Sequence, residues 1–206
     1  MRLYDFPRSG NCHKVRMLLA FLQLDWDAVP VDTSAGGTRT PEFLALNPRG
    51  QIPVLEDDGL VIWDSMAILC YLARRHGPEW LPMDAAPFAR VMQWLAVSEN
   101  ELLYGLARAR AALKFGRPCD MNDARANAES GLKTLETQLS RQQWLAVDRP
   151  TVADVACYPY VALAPEAEVN LAPYPGVRRW LGAVQALPNY VGMAGMFTDA
   201  APGARS

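Results

Sequence analysis

Histidine is scarce in this chain, with only His13 and His76 among 206 residues, and two isolated imidazoles do not make a metal site. Both read as surface residues. The four cysteines, Cys12, Cys70, Cys119 and Cys157, lie far apart without a CxxC pair, which argues against a zinc site, a dithiol redox motif or a disulfide scaffold. An excess of positive charge is also missing. Lys and Arg number 20 against 22 Asp and Glu, a formal net charge of −2, so the field on which nucleic-acid affinity rests is lacking. No apolar run approaches a membrane span, and Met1 to Ser9 contains none of signal-peptide length. The expectation is a cytoplasmic protein with reduced thiols and neither a nucleic-acid nor a membrane partner. Internal repeats and low-complexity segments are absent as well.

Half the residues are apolar and a fifth charged, an ordinary globular composition, and the length admits one large domain or two. The pattern of elements decides for two. Arg2 to Phe6 reads as a strand, Pro7 to Asn11 as a turn, and Cys12, Val15, Leu18, Leu19 and Leu22 as one face of a helix. A β-prone run from Trp26 to Val31 follows, then a Gly/Thr/Ser loop ending at Pro41, a good first-turn residue for a short helix. Ile52 to Leu55 and Leu60 to Trp63 flank an Asp-Gly turn, a hairpin signal. Asp64-Ser65 then caps a helix carrying Ile68, Leu69 and Leu72. Residues 1–80 therefore predict βαβαββα. From about residue 86 the strand signals stop, and helices are predicted near Phe88 to Phe115, Met121 to Leu139, Val152 to Leu163 and Val177 to Leu187. Pro78 to Pro87 is the linker, with Trp80 and Leu81 placed to pin the halves together. The tail over 198–206 is small and polar and is expected to fray.

Three short motifs bear on chemistry. Asn47-Pro48-Arg49-Gly50-Gln51-Ile52-Pro53-Val54 demands a defined backbone: Pro53 suits an edge-strand turn, or a cis bond that leaves the backbone of Val54 to pair with an extended peptide. Asp64-Ser65, at a helix start, can hold a small carboxylate or simply cap the helix. Ser9-Gly10-Asn11-Cys12-His13-Lys14 stands where a strand ends and a helix begins, and backbone amides converge there. Ser9 could lower the pKa of a bound thiol by donating to its sulfur. Cys12 could itself be a nucleophile near Lys14 and His13, or an inert thiol on the apolar face.

Together these motifs resemble the glutathione transferase superfamily across nearly the whole chain, in its bacterial-type form with a serine before helix 1, as in theta-, zeta- and phi-like members. Pro150-Thr151-Val152-Ala153-Asp154 matches the family's capping box in the second domain, where Asp154 is structural. The resemblance implies a thioredoxin-like domain, residues 1–80, with glutathione bound along its edge, and an all-helical domain, residues 86–206, that supplies the electrophile pocket. It makes Ser9 the thiolate stabiliser. Cys12 stands three positions too late for the cysteine of omega- and beta-like members. Gln51, Ile52, Pro53 and Val54 fall to glutathione, with the Val54 backbone pairing with its cysteinyl part. Asp64 and Ser65 fall to the γ-glutamyl group, Asp64 replacing the commoner glutamate, and Arg39 to the glycine carboxylate, although Thr38-Arg39 replaces the family's His-Lys.

Trp94, Glu99, Asn100, Tyr104, Arg108 and Arg110 lie along one long helical segment. Tyr104 and Arg108 share a face at four-residue spacing and, with Asn11, are the candidates for the electrophile pocket. The resulting expectation is a glutathione transferase that needs no metal or organic cofactor, uses glutathione as co-substrate, and attacks a small hydrophobic electrophile. Detoxification is the implied role and a homodimer the implied assembly. Rival readings on the same site are a glutathione-dependent isomerase, dehalogenase or peroxidase, and a scaffold without turnover.

Overall fold

The computed structural model describes residues 1–198, so the frayed tail expected for 198–206 lies, beyond Thr198, outside the described residues. β1 (Arg2–Asp5), α1 (Gly10–Phe21), β2 (Asp27–Pro30), α2 (Pro41–Leu46), β3 (Val54–Asp57), β4 (Leu60–Trp63) and α3 (Ser65–His76) follow one another as the patterning predicts. The strands form one sheet in the order β2-β1-β3-β4. β1 runs parallel to β2 and antiparallel to β3, which pairs antiparallel with β4. This is a thioredoxin-like α/β unit. Local chemistry accounts for its corners: Thr40 caps α2 by accepting from the Phe43 amide at 3.2 Å, ahead of Pro41 in the first turn.

The rest is helical: α4 (Ala85–Val97), α5 (Arg108–Phe115), α6 (Met121–Leu139), α7 (Val152–Ala162) and α8 (Pro175–Gln185). The one long helix expected over 88–115 is continuous but not uniform. Between α4 and α5 the ten residues Ser98–Ala107 are wound as a π-helix, a wider turn that often marks a functional position. In the linker, Trp80 stacks on Phe21 of α1 with ring centroids 5.0 Å apart, which ties it to the α/β half, and Leu81 is buried.

Every residue of α7 is buried, and so are the polar ends it must satisfy. Thr151 Oγ1 accepts from the Ala153 amide at 3.2 Å, and Asp154 Oδ2 accepts from the Thr151 amide at 2.9 Å. Asp154 does more than close this capping box. Its Oδ1 also accepts from the Leu145 amide at 3.1 Å and from Trp180 Nε1 of α8 at 2.9 Å. One carboxylate thus joins the start of α7, the loop before it and the last helix. A hydrophobic core runs continuously from Leu3 and Leu55 of the sheet through α1 and α3 to α7 and α8.

His13 departs from expectation. It is 1% exposed rather than a surface residue, with Nδ1 3.3 Å from Arg16 Nη2. α1 packs against both α3 and α7, so the side of the helix that would face water in an isolated α/β unit is covered. Burial, and then the Arg16 guanidinium, push the imidazole down to about 3. His76 is exposed, as expected.

Two outcomes follow. Asp154→Asn sets an amide N–H against the donors that the carboxylate accepts, and should cost about 3 kcal/mol in urea unfolding, the scale for breaking a buried charged hydrogen-bond cluster. His13 binds a proton in the unfolded chain below pH 6.5 but in the native state only near pH 3, so stability is full above the upper value and falls as pH drops between them. At about pH 5 the wild type should have lost roughly 2 kcal/mol relative to neutral pH, a loss that His13→Gln lacks. Equal losses in both proteins would show that His13 is not the group responsible.

Candidate functional site

The strand register assembles the site. Tyr4 opposes Val54, and Val54 opposes Trp63, so the end of β1, the start of β3 and the end of β4 form one row across the sheet. The segments continuing from that row, with Ser9 after β1, Ile52-Pro53 before β3 and Asp64-Ser65 after β4, meet at the same sheet edge. Three motifs spread over residues 9–65 are thereby neighbours in the fold.

Ser9 is the N-cap of α1, with extended backbone, and its Oγ accepts from the Cys12 amide at 3.2 Å. Accepting uses a lone pair and leaves the hydroxyl proton for another acceptor. Cys12 is fully buried. Its thiol is pushed up to about 12 by burial and then by Asp5, so it is an inert core residue and no nucleophile. The N-terminal turn of α1 is held from the helical side. Tyr160 of α7 packs so closely on Gly10 that a Cβ there would stand 2.6 Å from its ring. Asn11, the next residue, has a buried side-chain oxygen with no hydrogen-bond partner among the described residues.

The loop before β3 is built around Asn47, which opens the motif running to Pro53 and to which the sequence alone assigns no role. It is 1% exposed; Nδ2 donates to the Gln51 carbonyl at 2.7 Å and Oδ1 accepts from the Arg49 amide at 3.0 Å. Gly50 takes φ +60, and a Cβ there would meet Arg39 Nη1 at 2.6 Å and the Thr38 carbonyl at 2.8 Å. Arg39 donates to the Arg49 carbonyl at 3.5 Å, which holds it over this loop. The Ile52–Pro53 peptide is cis. Val54 is placed differently from expectation: it lies within the ladder between β1 and β4, where its backbone is committed to neighbouring strands. Ile52 stands ahead of the ladder and is half-buried. Gln51 is exposed beside it and Pro53 is buried.

Asp64 caps α3 at φ +80, an uncommon backbone for a side-chain-bearing residue. Oδ1 accepts from the Met66 and Ala67 amides at 2.9 and 3.4 Å, and Oδ2 stands 3.3 Å from Arg49 Nη1. Its carboxylate therefore does perform ordinary capping. What remains at this helix start is the amide of the buried Ser65, which has no intrahelical acceptor, and its hydroxyl.

On the helical side the long segment divides by face. Trp94 is buried, Asn100 donates to the Ala96 carbonyl at 2.9 Å, and Arg110 is 4% exposed, donating to Glu166 at 2.6 Å and to the Arg8 carbonyl at 3.0 Å. Those three are structural. Tyr104 is 42% exposed, and the Arg108 guanidinium lies 4.0 Å over its ring. Glu99 meets Lys14, whose ammonium is fully buried, 3.2 Å from Ser98 Oγ and 3.5 Å from Glu99 Oε1. Lys14 thus points at the π-helical stretch and 5.2 Å above the Tyr160 ring. Burial lowers its pKa, opposed first by Glu99 and then by Cys157. Among the described residues no group of three or more His, Cys, Asp or Glu is gathered to hold a metal ion, and no helix is long and apolar enough to cross a membrane.

Comparison with known proteins agrees with this geometry. Residues 1–74 match the family model described as glutathione S-transferase, N-terminal domain, and residues 105–183 match glutathione S-transferase, C-terminal domain. The chain is 34% identical over 204 residues to a probable glutathione S-transferase of rice (Oryza sativa subsp. japonica), covering 92% of this chain and 93% of the relative. It is 34% identical over 182 residues to the maleylacetoacetate isomerase of Mus musculus, covering 85% and 83% of the two chains. Among solved structures, a glutathione S-transferase from Pseudomonas fluorescens superposes with a TM-score of 0.87 at 35% identity, over 94% of this chain and 98% of that one. The chain belongs to the glutathione S-transferase family.

The Lys14–Glu99 pair gives an asymmetric expectation. Glu99→Gln leaves a buried ammonium without its counter-charge and should destabilise the protein by about 3 kcal/mol. Lys14→Met removes the buried charge itself, leaves the partly exposed Glu99 to water, and should cost less. Paired denaturation curves check the order of the two.

Proposed function

We propose that this protein is a glutathione transferase in which residues 1–80 bind glutathione and residues 86–206 form the electrophile pocket. The observation that carries the reading is the row Tyr4–Val54–Trp63, which brings Ser9, Ile52-Pro53 and Asp64-Ser65 to one sheet edge. Glutathione lies extended along that edge. Its cysteinyl backbone pairs with Ile52, beside Gln51 and Pro53, and Val54 supports the strand without touching the ligand. Its γ-glutamyl end meets the Ser65 amide and hydroxyl and the Asp64 carboxylate. Its glycine carboxylate meets Arg39. The Ser9 proton, free because Oγ caps the helix through a lone pair, goes to the sulfur and favours the thiolate. The sulfur then attacks an electrophile lying between Asn11 and the Tyr104–Arg108 face.

No metal or organic cofactor enters this scheme, and glutathione is a co-substrate. The edge strand β4 leaves Leu60, Val61 and Trp63 partly exposed, which supports a homodimer closed over this face. Detoxification in the cytoplasm is the role that fits. A second reading, glutathione-dependent isomerisation on the same site, is favoured by the likeness to the mouse isomerase.

Ser9→Ala, assayed beside wild type, tests the assignment. Calorimetric affinity for glutathione should stay within a few-fold. The apparent thiol pKa in the pH profile of kcat/KM should rise by about one to two units, with a roughly ten- to hundredfold slower rate near pH 6.5. The lost cap should cost about 1 kcal/mol of stability. An unaltered pH profile would remove Ser9 from the mechanism.

A further inference from the structure

The turn that carries the chain from β1 to Ser9 is held by two largely buried guanidinium–carboxylate pairs. Arg16 of α1 pairs with Asp5 and donates to the Pro7 carbonyl at 2.9 Å. Arg110 of α5 donates through Nε to Glu166 at 2.6 Å and through Nη1 to the Arg8 carbonyl at 3.0 Å. The first pair belongs to the same half as Ser9. The second reaches it from the helical half, where Glu166 lies in the short turn Ala164–Ala167 that follows α7. The end of α5 adds contacts of its own: Phe115 meets Phe6 edge-on with ring centroids 6.3 Å apart, and the Arg8 guanidinium lies 4.7 Å over the Phe115 ring.

The Arg8 carbonyl and the Ser9 amide are the two ends of one peptide plane. Its N–H donates back to the Phe6 carbonyl at 2.9 Å, so one end is engaged within the turn and the other by Arg110. A plane fixed at both ends sets φ of the residue that follows it, and that angle sets where the residue's side chain points. Ser9 stands at φ −81 and ψ 123, with Oγ on the Cys12 amide. Water could satisfy the carbonyl of the exposed Arg8, but a water molecule does not fix its direction.

Stability is a poor explanation for the Arg110–Glu166 pair. Two charges taken from water give up their hydration, and apolar residues of similar volume commonly match or exceed such a pair. Apolar residues cannot donate to the Arg8 carbonyl. The rigid guanidinium plane does so while its Nε is anchored on Glu166, which ties the turn after α7 to the turn before Ser9.

We infer that Arg110, anchored by Glu166, is a positioning residue that keeps the Ser9 hydroxyl aimed at the glutathione sulfur. This rests on the transferase reading and adds to it a residue of the helical half that acts through Ser9.

The test follows the pH dependence of kcat/KM, with glutathione and a chlorodinitrobenzene, in wild type, Arg110→Met with Glu166→Met, Ser9→Ala, and the three changes combined. Removing both members of the pair leaves no buried charge unpartnered. The paired variant should raise the apparent thiol pKa by about half to one unit and slow the reaction roughly three- to tenfold near pH 6.5, with calorimetric affinity for glutathione within a few-fold. In the Ser9→Ala background the same two changes should move the pKa no further, because residues that act through one another are not additive. Arg110→Lys keeps a cation beside Glu166 but lacks the planar fork that reaches both partners. It should show the same shift, and it carries the test if the paired variant does not fold. An unaltered pKa in a folded variant, or an equal shift with and without Ser9, overturns the positioning role, while a shift in Ser9→Ala alone leaves the transferase reading standing. A wild type with neither glutathione binding nor turnover overturns both.

Discussion

A helix buried on every side can send its polar ends nowhere but into other protein groups, and α7 is such a helix. The capping box of Thr151 and Asp154 closes its N-terminus, and the second oxygen of Asp154 brings in the Leu145 amide and the Trp180 indole. Because that end is satisfied, α7 can occupy the centre of the molecule and present α1 with an apolar wall. The wall ends in Tyr160, which bears on Gly10 one residue from Ser9. The position of the candidate site thus depends on a carboxylate that belongs to the folding of the helical half.

The α/β half adds its own constraint through register. Side chains alternate along a strand, so a one-residue slip of β3 would carry Leu55 out of the core and break the alignment of Tyr4, Val54 and Trp63. Burial of Leu3 and Leu55 therefore sets where the loops after β1, before β3 and after β4 emerge. The loops refine the result locally, through the Asn47 amide and the positive φ of Gly50. Site geometry and core packing are one arrangement seen from two sides.

Most of the architecture was legible because it rests on local chemistry. The Asp-Gly turn between apolar runs, Pro41 behind Thr40, Asp64 before Ile68 and the Thr151–Asp154 box each announce an element boundary through nearby residues. The site motifs were legible for the same reason, since each lies within a few residues of such a boundary. What escaped depends on distant partners. His13 was read as exposed because nothing near it in sequence says that a second domain covers α1. Lys14 finds its counter-charge in Glu99, far along the chain. Val54 and Ile52 are neighbours in sequence, and only the two flanking strands reveal which backbone is already engaged. Arg108 and Arg110 look alike in sequence, yet two residues along a helix turn one to solvent and the other into Glu166. The π-helical winding of Ser98–Ala107 carries no pattern that a period of 3.6 residues would detect.

The contact of Gly10 with Tyr160 also bears on how such proteins can be recombined. The two halves look like interchangeable parts, an α/β unit and a helical unit, and evolution or an engineer would be tempted to shuffle them. The seam between them is not a neutral surface, because an aromatic ring from one unit fills the space that a missing side chain in the other provides. A graft that joined a new helical half to this α/β half without also matching small against large at that single point would shift the first turn of α1. Compatibility of lineages would then be decided at the seam, before any substrate was met.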